Sequence, residues 1–292
     1  MTPPDEQQSN LDAPSRELMD ELLARAYQAA LAAGSLVSNR PEVLEVDSKT
    51  TATDVVTQMD RASEKLLVEL LLDGRETDGV LGEEGADRQG TSGVRWIIDP
   101  IDGTVNYLYG WPLWAVCVGV EYHGVPISGV VHMPGIGETY VGSVGGGSFR
   151  ITEAGRTRLR INETADPAMA LVATGFGYSA KRRGAQAAVV AQLATRVRDF
   201  RRAGACAVDL CFLAGGRVDA YFERGAQPWD HTAAGVIATE AGAIVSGLRG
   251  RGPSEEMVVA GTPAVHAALV AWLEELNADT DDVDEVGVLG TR

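Results

Sequence analysis

Between Trp114 and Ile161 five short runs follow one another: WAVCVGVEY, VPISGVVHM, ETYVGSV, GSFRI and RLRI, with glycine-containing turns between them. The runs are β-rich, and the stretch predicts an antiparallel sheet. After Met169 the pattern changes to alternating strands and helices. MALVATGF, DFRRAG, VDAYFE, GAIVS and EMVVAG read as strands. Helices are expected near Gln186–Arg198, Ala207–Ala214 and Thr232–Ala241, and after Thr262-Pro263. One chain therefore carries an antiparallel region and an α/β region, an α+β / α/β class of fold. Its 292 residues suffice for one large domain or two small ones.

Upstream of the sheet, Leu18, Leu22, Ala26, Ala30, Ala33 and Val37 recur at helical spacing, with Asp12 or Ser15 as the cap. EVLEVDSKTTATDVVTQMD reads as a strand leading into a loop. A second helix is expected from about Asp60, with Leu66, Leu67, Leu70 and Leu71 on its apolar face, ending at Asp73-Gly74. GVLGEE and VRWIID read as strands. The polar, acidic ends, 1–14 and 278–292, are expected to be loose tails around a folded body of 15–277, divided near 165/166.

The formal net charge of −16 argues against a nucleic-acid backbone as direct partner, because phosphate binding needs a basic face. It suits carboxylates kept for cations, or simple solubility. Cys117, Cys206 and Cys211 are odd in number and not at metal-ligand spacing; buried free thiols in a reducing cytoplasm are expected. There is no apolar run of about 18 residues, hence no membrane span is expected. The start lacks the apolar core of a signal peptide.

Carboxylates gather where strands end or helices begin: Glu83 and Glu84 in LGEEG, Asp99 and Asp102 in DPIDGT, Asp230 in PWDHTAAG, and Asp54 with Asp60 in TDVVTQMD. One such acid is commonly a helix cap. Four clusters together point to the crevice that forms at the carboxyl ends of strands. Oxygen donors without His or Cys partners suit Mg²⁺ or Ca²⁺. In DPIDGT, Pro100 fixes the backbone, the Ile101 carbonyl can turn to the same ion, and Gly103 permits a tight turn. The amides of Gly103 and Thr104 can face an anion if a helix starts there.

GEE, DPIDGTVNY and WDHTAAG, in that order and with KTTATDVVTQMD ahead of them, resemble the inositol monophosphatase family, and in particular its bacterial SuhB-like members. RRAGACAVDLCFLAGGRVDAYFE resembles the family's substrate-facing segment. The resemblance covers roughly Ser15 to Asn277. It implies a layered αβαβα sandwich of the sugar-phosphatase type, a Mg²⁺-dependent phosphomonoesterase in the cytoplasm, and a homodimer. It also implies that Glu83, Asp99, the Ile101 carbonyl, Asp102 and Asp230 hold the metal, with Asp102 bridging ions. Ile101, Asp102, Gly103, Thr104 and Asp230 would meet the substrate's phosphate side. Thr104, Glu83 and Asp60 would orient the attacking water. Arg201, Gly204, Ala205, Cys206 and Glu223 would face the rest of the substrate. Lys49 would support the site from outside, and Asp54 would help organise it.

Two departures from the family pattern are visible: Ala205-Cys206 where Thr or Ser often precedes an alanine pair, and Val105 in place of a commoner threonine. Lys49 also fits a solvated surface lysine, and Arg201 with Arg202 fits a surface or dimer-interface pair. Trp229 reads as a packing anchor, and His231 as a helix-start histidine facing away from the metal. The implied substrate is inositol 1-phosphate. Fructose 1,6-bisphosphate, histidinol phosphate, a nucleotide 3′-phosphate or NADP would use the same chemistry. Another class of role is a regulatory protein binding the transcription machinery.

Overall fold

A computed structural model describes residues 13–49, 51 and 54–281; Asp12 and the outer parts of both tails lie outside the described residues. The first helix, α1 (Arg16–Ser38), is capped by Ser15, whose hydroxyl oxygen accepts from the Leu18 N–H at 3.1 Å. Its buried face is mostly alanine, Ala26, Ala29, Ala30 and Ala33, so the helix can lie close to the sheet beneath it. At Gly34 the fit is tightest: an added Cβ would stand 2.3 Å from the His132 ring.

The segment expected as one strand and a loop is instead an antiparallel pair of exposed β1 (Val46–Ser48) and largely buried β2 (Val55–Thr57). Helix α2 (Gln58–Leu72) starts two residues before Asp60, because Thr57 and Asp60 close a reciprocal capping box. Its buried side carries Met59, Asp60, Ser63, Glu64, Leu67 and Leu71, whereas Leu70 is 37% exposed. Polar groups thus take the first turns of the buried face, where the helix overlooks the site described below.

The large sheet has eight strands. They are β3 (Gly79–Gly82), β4 (Asp87–Arg88), β5 (Val94–Asp102), β6 (Ala115–Tyr122), β7 (Val125–Met133), β8 (Glu138–Ser143), β9 (Gly147–Thr152) and β10 (Gly155–Arg158), ordered β10-β9-β8-β7-β6-β5-β3-β4. From β5 to β10 every pairing is antiparallel, as the turn-punctuated sequence predicts. A short helix, α3 (Thr104–Leu108), separates β5 from β6.

The second sheet comprises β11 (Leu171–Thr174), β12 (Asp199–Arg201), β13 (Ala220–Glu223), β14 (Ile244–Ser246) and β15 (Val258–Gly261), ordered β12-β11-β13-β15-β14. The alternation continues through α4 (Ala180–Leu193), α5 (Cys206–Ala214), α6 (Pro228–Glu240) and α7 (Pro263–Glu275). Helix α4 is displaced toward the N-terminus from its expected range, since only Ala185, Val189 and Leu193 mark its buried side. Helix α6 begins four residues before Thr232, with Pro228 in its first turn, where a missing N–H costs nothing. Past α7 the chain stays on the body: Ala278 is buried, Asp279 pairs with Arg249, and Asp281 with Arg224.

Period-two alternation divides the cores. In the large sheet Val116, Val118, Val130 and Val141 pack beneath α1 and α2, while Cys117, Val131, Met133 and Tyr140 face α5 and α6. In the small sheet Ala173, Tyr221, Val258 and Ala260 face the same α5–α6 layer, and Val172, Phe222 and Val259 face α4 and α7. The order of layers is helices, sheet, helices, sheet, helices: the αβαβα sandwich.

Three glycines set the height of the middle layer. Gly119 pairs with Gly129 and Gly129 with Gly142, so they form a row across β6, β7 and β8. Helix α6 lies in that row. A Cβ at Gly129 would stand 2.2 Å from the Ala233 carbonyl oxygen, and one at Gly142 would stand 3.1 Å from the Ile237 Cα.

Candidate active site

In an unbroken strand, Asp99 and Asp102 would point to opposite faces. The register between β5 and β6 slips between them: Asp99 pairs with Cys117 and Asp102 with Ala115. This bulge brings both carboxylates to one side. Asp99 Oδ1 accepts from the Ile101 N–H at 3.0 Å, and the Pro100 carbonyl accepts from the Ser63 hydroxyl at 3.1 Å. Gly103 then takes a left-handed conformation (φ 86°) at the start of α3.

Asp102 has a second task. Its Oδ2 accepts from the Ala207 N–H at 2.8 Å and its Oδ1 from the Cys206 N–H at 3.2 Å. These are the first amides of α5, and Ala205 at the cap has no side-chain acceptor to offer them. The carboxylate of one layer therefore caps a helix of the next. Asp230 stands in the first turn of α6, where its Oδ2 accepts from the Gln227 N–H at 2.6 Å. A carboxylate oxygen from each of Asp99, Asp102 and Asp230 lies within 4.8 Å of the others.

Such a cluster is electrostatically loaded. Burial, then the charges of Glu83, Asp102 and Asp230, hold the Asp99 carboxyl well above its usual range. Burial also raises Asp230, with Glu83 and Asp102 adding to it. For Asp102 burial again dominates; the α5 amides oppose it, and Glu223 and Glu83 reinforce it. A divalent cation would relieve all three groups at once, and the donors are hard oxygens that suit one. Lys49 does not serve this purpose, being held by Glu83 at 2.8 Å and by Glu84. Burial disfavours its charge, but those two carboxylates outweigh burial and raise its pKa. Glu84 is itself pushed up to about 7, chiefly by burial against the pull of Lys49.

Beside the carboxylates, the Thr104 hydroxyl lies 3.2 Å from Asp60 Oδ1 and 3.1 Å from the Ile101 carbonyl oxygen. Asp60 is fully buried, and burial raises its pKa although Thr57 donates to it twice. A cavity of about 570 Å³ opens at Asp102, lined also by Lys49, Asp54, Glu83, Glu223 and Asp230 among others. Gly204, Ala205 and Cys206 form part of its wall. Glu223 ends β13, where its Oε2 accepts from the Tyr221 hydroxyl at 2.7 Å. Its carboxylate occupies the space that a side chain at Gly175 would need.

Arg201 is not in the cavity. Its guanidinium is exposed and bonds Asp199 Oδ2 at 2.6 Å and the Phe200 carbonyl. The neighbouring Arg202 lines the cavity instead. Successive residues at a strand end point opposite ways, so the choice between the two arginines turned on one residue of register. Trp229 also lines the cavity. His231 is buried, which lowers its pKa to about 4, and stands outside the acidic cluster.

Sequence reasoning missed three contributors. Glu64 accepts from the Glu84 N–H at 2.8 Å and the Ala86 N–H at 3.0 Å, and so fixes the loop that carries Glu83. Asn106 donates to the carbonyls of Leu113 and Ala203, tying α3 to the approach to α5. The loop Gly175–Ser179 forms one side of the cavity. That loop follows strand β11, and the rule that ligands sit at the carboxyl ends of strands points to it.

A family model described as the inositol monophosphatase family matches residues 18–283. An inositol-1-monophosphatase of Mycobacterium leprae is 43% identical over 239 residues, covering 80% of this chain and 82% of that protein. A protein of Escherichia coli (strain K12) named Nus factor SuhB is 33% identical over 269 residues, covering 89% of this chain and 98% of that one. Among solved structures, the extragenic suppressor protein suhB of Bartonella henselae superposes with a TM-score of 0.80 at 30% identity, over 87% of this chain and 99% of that chain.

Proposed function

This chain belongs to the inositol monophosphatase family and is a phosphatase, and from that premise we propose that it is a Mg²⁺-dependent phosphomonoesterase that hydrolyses inositol 1-phosphate. The observation that carries the reading is the triad of buried Asp99 and Asp102 with half-buried Asp230, the last two of which line an open cavity. Glu83 and the Ile101 carbonyl complete the proposed ligand set. Bound divalent ions supply a nucleophilic water, neutralise the phosphate and stabilise the leaving oxygen.

The chain's own residues do the rest. The Thr104 hydroxyl has one proton, which it donates to Asp60 or to the Ile101 carbonyl. Its lone pairs remain to accept from a water, so it can orient that water and pass its proton toward Asp60. Glu83 shares this role, held in place by Lys49. The amides of Gly103 and Thr104 open α3 and are assigned to the phosphate. Gly204, Ala205, Cys206 and Glu223 are assigned to the alcohol part, with Arg202 taking the place first given to Arg201. The α5 amides hold Asp102 in one orientation before substrate arrives, which preorganises the site. Asp54, at the cavity edge, is assigned an organising role.

The test is phosphate release with and without Mg²⁺. The substrates are inositol 1-phosphate, fructose 1,6-bisphosphate, histidinol phosphate, a nucleotide 3′-phosphate and NADP. Inositol 1-phosphate should be turned over fastest, and only with metal; a faster rival replaces the substrate, and metal-independent release refutes the mechanism. The same reading carries a cytoplasmic homodimer.

The relative named Nus factor SuhB supports a second reading, in which the protein also binds the transcription machinery. Co-purification with RNA polymerase from a lysate of the source cells, retained in an Asp102→Asn variant, would establish that role apart from catalysis.

A further inference from the structure

A second cavity, of about 680 Å³, runs along α6 between the β6–β7 turn and the loop at 253–255. We propose that it is a binding site for a small organic ammonium ion with an apolar body. Its volume falls in the range of small-molecule pockets. It is separate from the carboxylate triad, although Gln227 and Glu255 line both cavities.

Three observations give it a ligand. The first is His231, which lines the cavity at only 8% exposure and whose Nε2 is buried without a hydrogen-bond partner. A buried polar atom left in that state is costly, and a ligand N–H that a small turn of the ring brings into reach would satisfy it. The second is Gly235, in the interior of α6. A helix-interior glycine costs about 1 kcal/mol relative to alanine. No atom lies within 4 Å of the Cβ it lacks, so no contact requires the glycine. What it does is leave the cavity wall open. The third is charge. Glu121, Glu240 and Glu255 line the cavity, and among the described residues no lysine or arginine does, although Arg95 faces Glu121 from the neighbouring strand. Glu240 accepts from the amides of Gly145 and Gly147, which leave its charge in place; Glu255 lies 3.6 Å from Arg182. An anion, including any phosphate ester, is repelled here, and a cation is drawn in.

The probe is 4-bromobenzylammonium, with 4-bromobenzoate as the matched anion, both in millimolar Mg²⁺ so that the carboxylates of the catalytic cavity are not open to the amine. Calorimetry should give saturable binding of one ammonium per chain, with the benzoate at least about tenfold weaker. Gly235→Phe, whose Cβ would meet no atom within 4 Å, puts a ring into the cavity and should abolish that binding while leaving the far-UV spectrum unchanged. Glu121→Gln should weaken it several-fold. A crystal of the unaltered chain soaked in the ammonium should show the bromine beside His231, whether or not Gly235→Phe folds. Equal binding of the benzoate, unchanged affinity in a folded Gly235→Phe, no saturable binding of the ammonium, or bromine confined to the catalytic cavity would each overturn the proposal.

Discussion

Gly129→Ala tests whether the glycine row under α6 positions the proposed metal-binding carboxylates. The added methyl would lie 2.2 Å from the Ala233 carbonyl oxygen and 2.7 Å from the Ala233 Cα. These are backbone atoms of a buried helix, so no side chain can swing aside. Ordinary contact requires roughly 1 Å more, and either β7 or α6 must give. Overpacking of this kind costs about 1–3 kcal/mol, which for a chain of this size lowers Tm by roughly 2–5 °C. The displacement does not stay local. Asp230 stands one turn before Ala233 on the same helix, and it must keep its oxygen within 4.8 Å of those of Asp99 and Asp102. A misplacement of about 1 Å at a reacting centre can cost on the order of a hundredfold in rate. The assay is calorimetric Tm together with phosphate release across a Mg²⁺ titration. Turnover should fall by about ten- to a hundredfold, and half-saturation should move to higher Mg²⁺. Gly235→Ala, on the same helix with open space around it, is the control and should raise stability by roughly 0.5–1 kcal/mol. Wild-type Tm and Mg²⁺ response in Gly129→Ala would refute the reasoning.

Four other outcomes are expected. Asp102→Asn keeps one acceptor for the α5 amides and loses the negative charge; turnover should vanish with the circular dichroism unchanged, and near-normal activity at saturating Mg²⁺ would remove Asp102 from the metal site. Glu223→Gln should lower kcat/KM for inositol 1-phosphate by roughly ten- to a hundredfold, the worth of a charge-assisted hydrogen bond, and spare p-nitrophenyl phosphate, which has no ring hydroxyls. Equal losses on both substrates would assign Glu223 to the fold or the metal instead. Millimolar Li⁺ should inhibit uncompetitively by taking an outer cation position near Asp230, whereas the same effect with Na⁺ would point to ionic strength. Light scattering at micromolar concentration should return twice the chain mass, and a clean monomer would exclude the homodimer.

Much of this architecture is legible in the sequence because its signals are local. The strand runs of 114–161, the Ser15 cap and the acids at strand ends each declare themselves within a few residues. What was not legible depends on register or on distant partners. Strands β1 and β2 are three residues each, and β1 is wholly exposed, so no apolar pattern marks the pair as a hairpin. The first turns of α4 contain no buried apolar residue before Ala185, which hid its start. Arg201 and Arg202 differ only in direction. The slip between Asp99 and Asp102 requires knowledge of β6, and the glycine row requires three strands in register. Read singly, Gly119, Gly129 and Gly142 look like turn residues or weak points in strands. The capping box of Gln227 and Asp230 was present as a spacing, but with residues other than the usual Ser/Thr and Glu.

The shared middle layer has a consequence for the order in which the molecule is made. The eight-stranded sheet is complete at Arg158, but the helices that cover its inner face begin at Cys206 and Pro228. A nascent chain translated through β10 therefore presents Val131, Met133, Tyr140 and the glycine row to solvent with nothing upstream to shield them. At roughly 5–20 residues per second that face stays bare for several seconds, and transiently exposed apolar sheet surface of this kind is aggregation-prone. The two halves are thus unequal in the cell. A ribosome that stalls after β10 releases an aggregation-prone sheet, while one that stalls after α6 releases a chain whose larger sheet is already roofed.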